Sequence, residues 1–366
     1  MKALGIILAG GKNEHLKELT HNRALAAMPI AGNYRAIDFS LSNMTNSNIK
    51  KVAVVTQYNS RSLVEHLRSS KWWDFGRKNK GLYILTPYIS HDNCFWYRGT
   101  ADAIYQNISY LKDSDEPYVI IAQGDDISKI DYNKVLQYHI DKKADITIVC
   151  KKLEMQELSR FGHVEIDDEN RIIDFEEKPL DPSDNLISTG IYVIERTMLI
   201  ELIEAAEKED RHDFVSDIIV RYRKRKRIMA YIHNGYWKSI AELDSYYQAN
   251  MDFLDRELRQ YFFKTYPYIM SKAEDEAPAK FNKGTNVSNS LCSPGCIVNG
   301  TVENSVLFRK TFIGKNTIIK NSIILHSASI GKDAYIENCI VDSKSVIPDG
   351  SHFVGNHGQH MVIVNK

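Results

Sequence analysis

The sequence predicts an α/β domain with a mostly parallel sheet, followed by a C-terminal left-handed parallel β-helix. Three observations carry this. Short, wholly apolar runs end in glycine-rich or polar loops, as strands buried on both faces do. Amphipathic segments separate those runs, the alternation that gives parallel sheets. The last eighty residues repeat with a 17-residue period, the signature of a solenoid.

The first strand is Ala3–Ala9, which runs into Gly10 and Gly11. Val52–Thr56 is the second, Tyr118–Ala122 the third and Ile146–Cys150 the fourth. The spacing predicts helices over Ala36–Thr45, Ser60–Arg68, Thr100–Leu111 and Tyr132–Lys142. Ligands in such sheets bind beyond the carboxyl ends of the strands. The loops after Ala9, Thr56 and Ala122 are therefore the places to inspect. They hold Gly10-Gly11, Gln57-Tyr58 and Gly124-Asp125-Asp126.

In the C-terminal region Val302–Val306 reads Val-Glu-Asn-Ser-Val, and its pattern recurs at Ile319–Ile323 and Ile336–Ile340. Phe312–Asn316 (Phe-Ile-Gly-Lys-Asn) recurs as Ser329–Asp333. β-Branched pieces separated by Gly, Asn and Asp describe the coils of a β-helix built on loose hexapeptides. A small β-sandwich has no such fixed period. Each coil covers the next, so the solenoid is expected to pack on the first domain or on another subunit. The boundaries expected are 1–250 for the first domain, 251–280 for a helical then polar connector, and 281–366 for the β-helix.

Composition narrows the function. The chain has 366 residues, the length of two domains, and 47 basic residues balance 47 acidic ones. A zero formal charge argues against a nucleic-acid or membrane coat. No apolar run approaches the roughly 20 residues that span a bilayer, and the apolar start lacks a signal-peptide cleavage region. Five scattered cysteines (Cys94, Cys150, Cys292, Cys296 and Cys339) do not make a disulfide framework, which points to a reducing cytoplasm. Cys292 and Cys296 lack the second ligand pair that zinc needs. The basic run Arg221–Arg227 reads as a solvated helix end; an anionic effector or partner contact, or a nucleic-acid or targeting segment, are the other uses for it.

Several strings stand out, two of them on the loops already marked. The longest is Tyr97-Arg98-Gly99-Thr100-Ala101-Asp102-Ala103, continuing to Asn107. With it come Asp38–Asn43, Gln57-Tyr58, Gly124-Asp125, Glu177-Lys178-Pro179 and Ser188–Tyr192. In this order they resemble bacterial ADP-glucose pyrophosphorylase (glucose-1-phosphate adenylyltransferase), over essentially the whole chain. The resemblance implies a Rossmann-like nucleotidyltransferase domain before the β-helix. It also implies the reaction in which glucose-1-phosphate attacks the α-phosphorus of ATP, giving ADP-glucose and pyrophosphate for glycogen synthesis. Such a protein positions reactants, neutralises phosphate charge and clamps Mg²⁺.

By the resemblance, Gly10, Gly11, Gln57, Gly99 and Thr100 are nucleotide-binding. Tyr97, Glu177, Lys178, Ser188, Gly190 and Asp213 form the sugar-phosphate pocket. Asp125 matches the first metal carboxylate. The ATP half departs from the family pattern Gly-Gly-x-Gly-Ser/Thr-Arg-Leu. Asn13 replaces the third glycine, whose conformation asparagine takes less freely. Glu14 brings negative charge, and His15 replaces a permanent cation. In Arg23–Ala27, Leu25 stands where the family has lysine. In Trp237–Glu242, Ser239 stands where the family has its second metal carboxylate and cannot serve as an anionic ligand for the family's Mg²⁺. Removing one phosphate-neutralising arginine costs about 10³–10⁵ in rate in related chemistry.

The resemblance therefore extends to the D-type regulatory subunit of some Gram-positive bacteria. That subunit joins a catalytic C-type partner in a heterotetramer and has little or no activity of its own. The alternatives are an active glucose-1-phosphate adenylyltransferase and a stand-alone sensor of sugar phosphates or nucleotide sugars.

Overall fold

The computed structural model describes residues 2–76, 80–88, 96–154, 159–179, 185–356 and 360–364; Cys94 lies outside them. A nine-stranded sheet organises the first domain. Its strands are β1 (Ala3–Leu8), β2 (Val52–Val55), β3 (Leu82–Leu85), β4 (Tyr118–Gln123), β5 (Ile146–Lys152), β6 (Gly162–Ile166), β7 (Ile172–Glu177), β8 (Leu186–Glu195) and β9 (Ile228–Ile232). Strands β3, β2, β1 and β4 pair in parallel. The long β8 runs antiparallel between β4 and β5, and β9 closes the far edge parallel to β5. A hairpin of β6 and β7 continues from the start of β8.

The alternation along β1 explains why this sheet needs two covers. Leu4, Ile6 and Leu8 enter one buried cluster with Ala101 and Ile104 of helix Thr100–Tyr105 and with Leu199 and Leu202 of helix Arg196–Lys208. Ala3 and Ile7 enter another, with Ile37 and Leu41 of helix Ala36–Asn46, Leu63 of helix Arg61–Leu67 and Leu136 of helix Tyr132–Asp141. The expected Thr100–Leu111 helix is broken. It ends at Tyr105 and restarts as Ile108–Lys112. Asn107 causes the break: its amide donates to the Ala103 carbonyl at 2.8 Å and to the Tyr97 hydroxyl at 2.9 Å, the local competition that disfavours asparagine in a helix interior.

The C-terminal region forms three five-stranded, all-parallel sheets, which fit the expected left-handed hexapeptide β-helix. Inward ladders such as Leu307–Ile324–Val341 fill its interior. One outer ladder, Val306–Ile323–Ile340, packs on Ile240, Tyr246 and Tyr247 of the first domain. That contact, with helix Leu243–Asp252 between, covers one side of the solenoid. The connector is helical over Arg256–Phe263 before its polar stretch. The basic run does end a helix: a π-helical stretch, Val215–Val220, precedes it. Arg221 pairs with Glu209, Arg223 Nε with Asp174 at 2.8 Å, and Arg227 with Glu169 at 3.6 Å. Among the described residues, Cys150, Cys292, Cys296 and Cys339 are free thiols, and no helix is long and apolar enough to cross a membrane.

Candidate active site

A cavity of about 450 Å³ opens at the carboxyl ends of β1, β2 and β4. Gly10, Gly11, Asn13, Leu25, Gln57, Tyr97, Gly99, Thr100, Asp125 and Asp213 all line it, so one pocket gathers residues from six separate segments. A second cavity of about 480 Å³ continues it past Glu14 towards Arg23. Close approach explains the glycine between β4 and Asp125: a Cβ on Gly124 would sit 3.0 Å from Ala26.

The loop after β1 corrects one expectation. Asn13 keeps a negative φ, and the left-handed residue of the loop is Lys17, at φ 51°. Asn13 is therefore not strained. Its amide nitrogen donates to the Ala241 carbonyl at 2.7 Å, and its amide oxygen accepts from the Leu16 N–H at 3.0 Å. The loop is pinned by a side chain that glycine does not have. The charges of the loop are consumed locally. Lys12 Nζ lies 2.5 Å from Glu14 Oε1, and this exposed contact holds the carboxyl of Glu14 below its usual range. His15 faces Glu242, with Nδ1 to Oε1 at 3.6 Å, and is exposed. Leu25 presents an aliphatic chain to both cavities.

Arg98, inside a quoted string but given no role from sequence, also lines the cavity. It too is held: its guanidinium reaches Glu207 at 2.9 Å, Asp102 at 3.2 Å and Asp210 at 3.2 Å. Asp102 at i+4 was the readable signal. Asp102, Glu207 and His212 converge closely enough to suggest a metal, but Arg98 is the cation they surround. The first N–H groups of helix Thr100–Tyr105 do not face the cavity unpaired. Those of Ala101 and Asp102 donate to the His212 carbonyl at 2.7 and 3.2 Å.

Gln57 bridges two loops. Its Oε1 accepts from the Tyr97 N–H at 3.1 Å and its Nε2 donates to the Tyr97 carbonyl at 3.4 Å. Tyr97 is buried, which pushes its phenol up. Asp213 is also engaged. It accepts from the N–H groups of Val215 and Ser216 at 2.9 and 2.8 Å and from the Thr100 hydroxyl at 3.2 Å.

Glu177, Lys178, Ser188 and Gly190, expected in the same pocket, are not in the cavity's lining; they lie on β7, the turn after it, and β8, with Gly190 against Gln123 of the lining. Burial raises the Glu177 carboxyl; nearby Lys178 lowers it and Asp213 raises it. The Nζ of Lys178 stands 3.8 Å from Glu177. Gly190, at φ 74°, sits at a bulge in β8 where a Cβ would meet the Gln123 side chain at 2.7 Å. Glycine is required there.

Metal binding tests poorly on this donor set. The ribbon of Asp126–Ser128 with Trp237–Ser239 sets Ser239 opposite Asp126. Ser239 offers a neutral hydroxyl. Asp126 is buried and accepts from Trp237 Nε1 at 3.2 Å, and it does not line the cavity. Burial and the neighbouring Asp125 push its carboxyl well up. Of these two carboxyls only Asp125 faces the cavity, and desolvation raises it as well. A hard divalent cation is held by carboxylates; with Ser239 neutral and Asp126 bonded to Trp237 away from the cavity, neither position supplies Asp125 with a second carboxylate for a clamp.

The fold and this cavity define a nucleotidyl transferase domain carrying a hexapeptide β-helix. The family model for nucleotidyl transferase matches residues 4–256, and that for the GlmU-like C-terminal hexapeptide matches residues 277–360. Glucose-1-phosphate adenylyltransferase of Bacillus subtilis (strain 168) is 42% identical over 353 residues, 96% of this chain and 93% of that protein. The enzymes of the same name from Geobacillus stearothermophilus and Clostridium novyi (strain NT) are 41% and 42% identical, covering 87% and 86% of this chain and 83% and 84% of their own. The chain belongs to the glucose-1-phosphate adenylyltransferase, or ADP-glucose pyrophosphorylase, family.

Proposed function

We propose that this chain is a regulatory subunit of glucose-1-phosphate adenylyltransferase in glycogen synthesis, with little or no turnover of its own. The observation that carries this is the loss of usable charge in the nucleotide cavity. Leu25 lines it where a lysine is expected, and Ser239 stands where a metal carboxylate is expected. The two cations at its wall, Lys12 and Arg98, are each held by carboxylates of the chain itself. Transfer of the adenylyl group makes a bond from the sugar-phosphate oxygen to the α-phosphorus and releases pyrophosphate. Charge accumulates on the phosphates, and catalysis of such steps is mainly positioning plus electrostatic stabilisation. A cavity of balanced charge binds without accelerating. The retained groups Glu177, Lys178 and Ser188 support sugar-phosphate binding as what remains.

Regulation then means differential binding: the chain favours the active conformation of a catalytic neighbour. Pyrophosphate release from glucose-1-phosphate, ATP and Mg²⁺ tests the reading. The chain alone, its catalytic partner alone and the co-purified pair are compared. Background turnover alone, with altered kcat/KM or effector response in the pair, is the expected result. Robust turnover by the chain alone overturns it. That outcome is the second reading, an active adenylyltransferase, which the 42% identity to the Bacillus subtilis enzyme favours.

A further inference from the structure

One corner of the β-helix carries an asparagine in four successive coils. Asn289, Asn304, Asn321 and Asn338 each have φ between 41° and 53°. Asparagine takes this left-handed region more readily than most residues, which accounts for the residue type. The coils stay in register at this corner: the N–H groups of Asn304, Asn321 and Asn338 donate to the carbonyls of Ser288, Glu303 and Lys320 at 3.1, 3.1 and 3.2 Å. The side chains form a ladder of their own. Asn289 Nδ2 donates to Asn304 Oδ1 at 2.8 Å, and Asn304 Nδ2 to Asn321 Oδ1 at 2.7 Å. Asn338 Nδ2 donates onward to the Gly355 carbonyl at 3.2 Å. The rung between Asn321 and Asn338 breaks the pattern. Among the described residues, Asn321 Nδ2 has no acceptor and Asn338 Oδ1 has no donor. The left-handed corner explains the asparagines and leaves the open rung unexplained.

Asn304, Asn321 and Asn338 form one wall of a cavity of about 330 Å³, and helix Leu243–Asp252 forms the other. The walls are held without a ligand. The Tyr247 hydroxyl donates to the Asn321 carbonyl at 2.7 Å, and the Tyr247 ring stacks on His360 with centroids 3.5 Å apart. Both rings are buried. The open rung selects what fits. A hydroxyl both accepts and donates, so one hydroxyl satisfies Asn321 Nδ2 and Asn338 Oδ1 together. An ionised carboxylate has no proton for Asn338, and an ammonium has no lone pair for Asn321. Among the described residues, no lysine or arginine lines the cavity, and Asp244 adds a negative charge. A phosphorylated ligand therefore lacks a counter-charge here, unlike in the nucleotide cavity with Lys12 and Arg98 at its wall. Exposed Asp244 and Gln248 offer partners to further hydroxyls, and Met251 gives an apolar wall for C–H groups. The volume is at the lower end of the roughly 300–1,000 Å³ of small-molecule sites.

We propose that this cavity binds a neutral polyhydroxylated ligand of monosaccharide size, with one hydroxyl bridging Asn321 and Asn338. The site is separate from the nucleotide cavity and stands whether or not the chain turns over substrate. A ligand there touches the helix of the first domain and three coils of the β-helix, so binding ties the two domains together. The test titrates the full chain with D-glucose and, separately, with sorbitol, followed by saturation-transfer NMR. Saturable binding with a dissociation constant in the millimolar range or below is expected. Asn321→Asp removes the open donor, keeps the oxygen that accepts from Asn304 and suits the same corner. It is expected to weaken binding about tenfold. Gln248→Leu, on an exposed side chain, is expected to weaken it severalfold, and an unchanged melting temperature verifies folding of both variants. Excess glucose-1-phosphate should not displace either polyol. Absence of saturable binding below about 30 mM overturns the proposal. Binding that neither variant weakens, or that glucose-1-phosphate displaces, places the polyol elsewhere and overturns it too. If Ca²⁺ alone raises the melting temperature, neither polyol does, and Asn321→Asp enlarges the Ca²⁺ shift, the open rung is a cation site and the proposal falls.

Discussion

Arg23 Nη2 lies 2.7 Å from Asp342 Oδ1 across the joint between the two domains, 319 residues apart in the chain. Both groups are largely out of water, with side chains 14% and 3% exposed. Arg23 also donates to the Ser343 hydroxyl at 3.3 Å, and that hydroxyl lies 2.9 Å from His326 Nδ1. Two residues further along, Leu25 lines the nucleotide cavity. The segment bordering the cavity is thus anchored to a coil of the β-helix, and relative motion of the domains has a direct route to it.

Cutting this anchor at one end exposes its worth. Asp342→Ala leaves a buried guanidinium without its counter-charge, the case in which breaking an ion pair is costly. A loss of about 2–4 kcal/mol in unfolding free energy is expected from denaturant titration. Adding Arg23→Ala should recover part of that loss, because no orphan charge then remains. A loss below about 0.5 kcal/mol, the size of a surface pair, contradicts the buried geometry.

His326 gives the same joint a pH signature. Burial lowers its pKa to about 4, helped by Arg23, Arg35, Lys344 and Arg309. The unfolded chain binds a proton near pH 6.5. Between about 6.5 and 4 the unfolded state therefore carries more protons, and stability falls as pH falls. Above 6.5 this group contributes no slope. His139 is lowered to about 4 by burial as well, so the comparison is between wild type and His326→Gln. The variant should have the shallower loss on acidification, by roughly 1–3 kcal/mol at pH 4. Parallel curves remove His326 as a cause.

Restoring the family's third glycine is expected to harm the loop. Asn13→Gly deletes the bonds to Ala241 and Leu16 and adds backbone freedom where no positive φ is needed. A destabilisation of about 1–3 kcal/mol follows from two lost hydrogen bonds and glycine's entropy. Faster proteolysis near residues 12–20 is the accompanying readout. An unchanged or raised melting temperature contradicts the pinning role of Asn13.

On the proposed regulatory reading, adding the family's charges should raise turnover. His15→Arg, Leu25→Lys and Ser239→Asp together are expected to raise pyrophosphate release by about 10²-fold or more, since one phosphate-neutralising arginine alone is worth about 10³–10⁵ in related enzymes. The effects are not additive. Ser239→Asp alone should do least, because it sets a third carboxyl beside Asp125 and Asp126 while the phosphates still lack cations. Equal activity in wild type and triple variant shows that these positions do not limit the rate.

The strands and the 17-residue coils were legible because burial on both faces and stacking leave strong periodic marks. The sites of Gly10, Gln57 and Asp125 followed from where such sheets bind ligands, and that of Tyr97 from the family resemblance. Other features left no local mark. The antiparallel β8 is as apolar as its parallel neighbours, so its direction depends on pairing with β4 and β5. The break at Gln106-Asn107 needs the distant Tyr97 hydroxyl. The pinning of Asn13 by Ala241 spans 228 residues, and the holding of Arg98 by Glu207 and Asp210 joins segments that sequence order keeps apart.

The stacked coils also act as a ruler. Each turn advances the solenoid by one strand spacing, about 4.8 Å, while its ladders stay in register. Asp342 meets Arg23 because it lies at one particular rung. Deleting or duplicating a whole 17-residue turn before it would keep every inward aliphatic contact and still carry that carboxylate past its mate by more than a hydrogen bond's reach. The number of turns is therefore fixed by the neighbouring domain, even where the repeat itself tolerates any count.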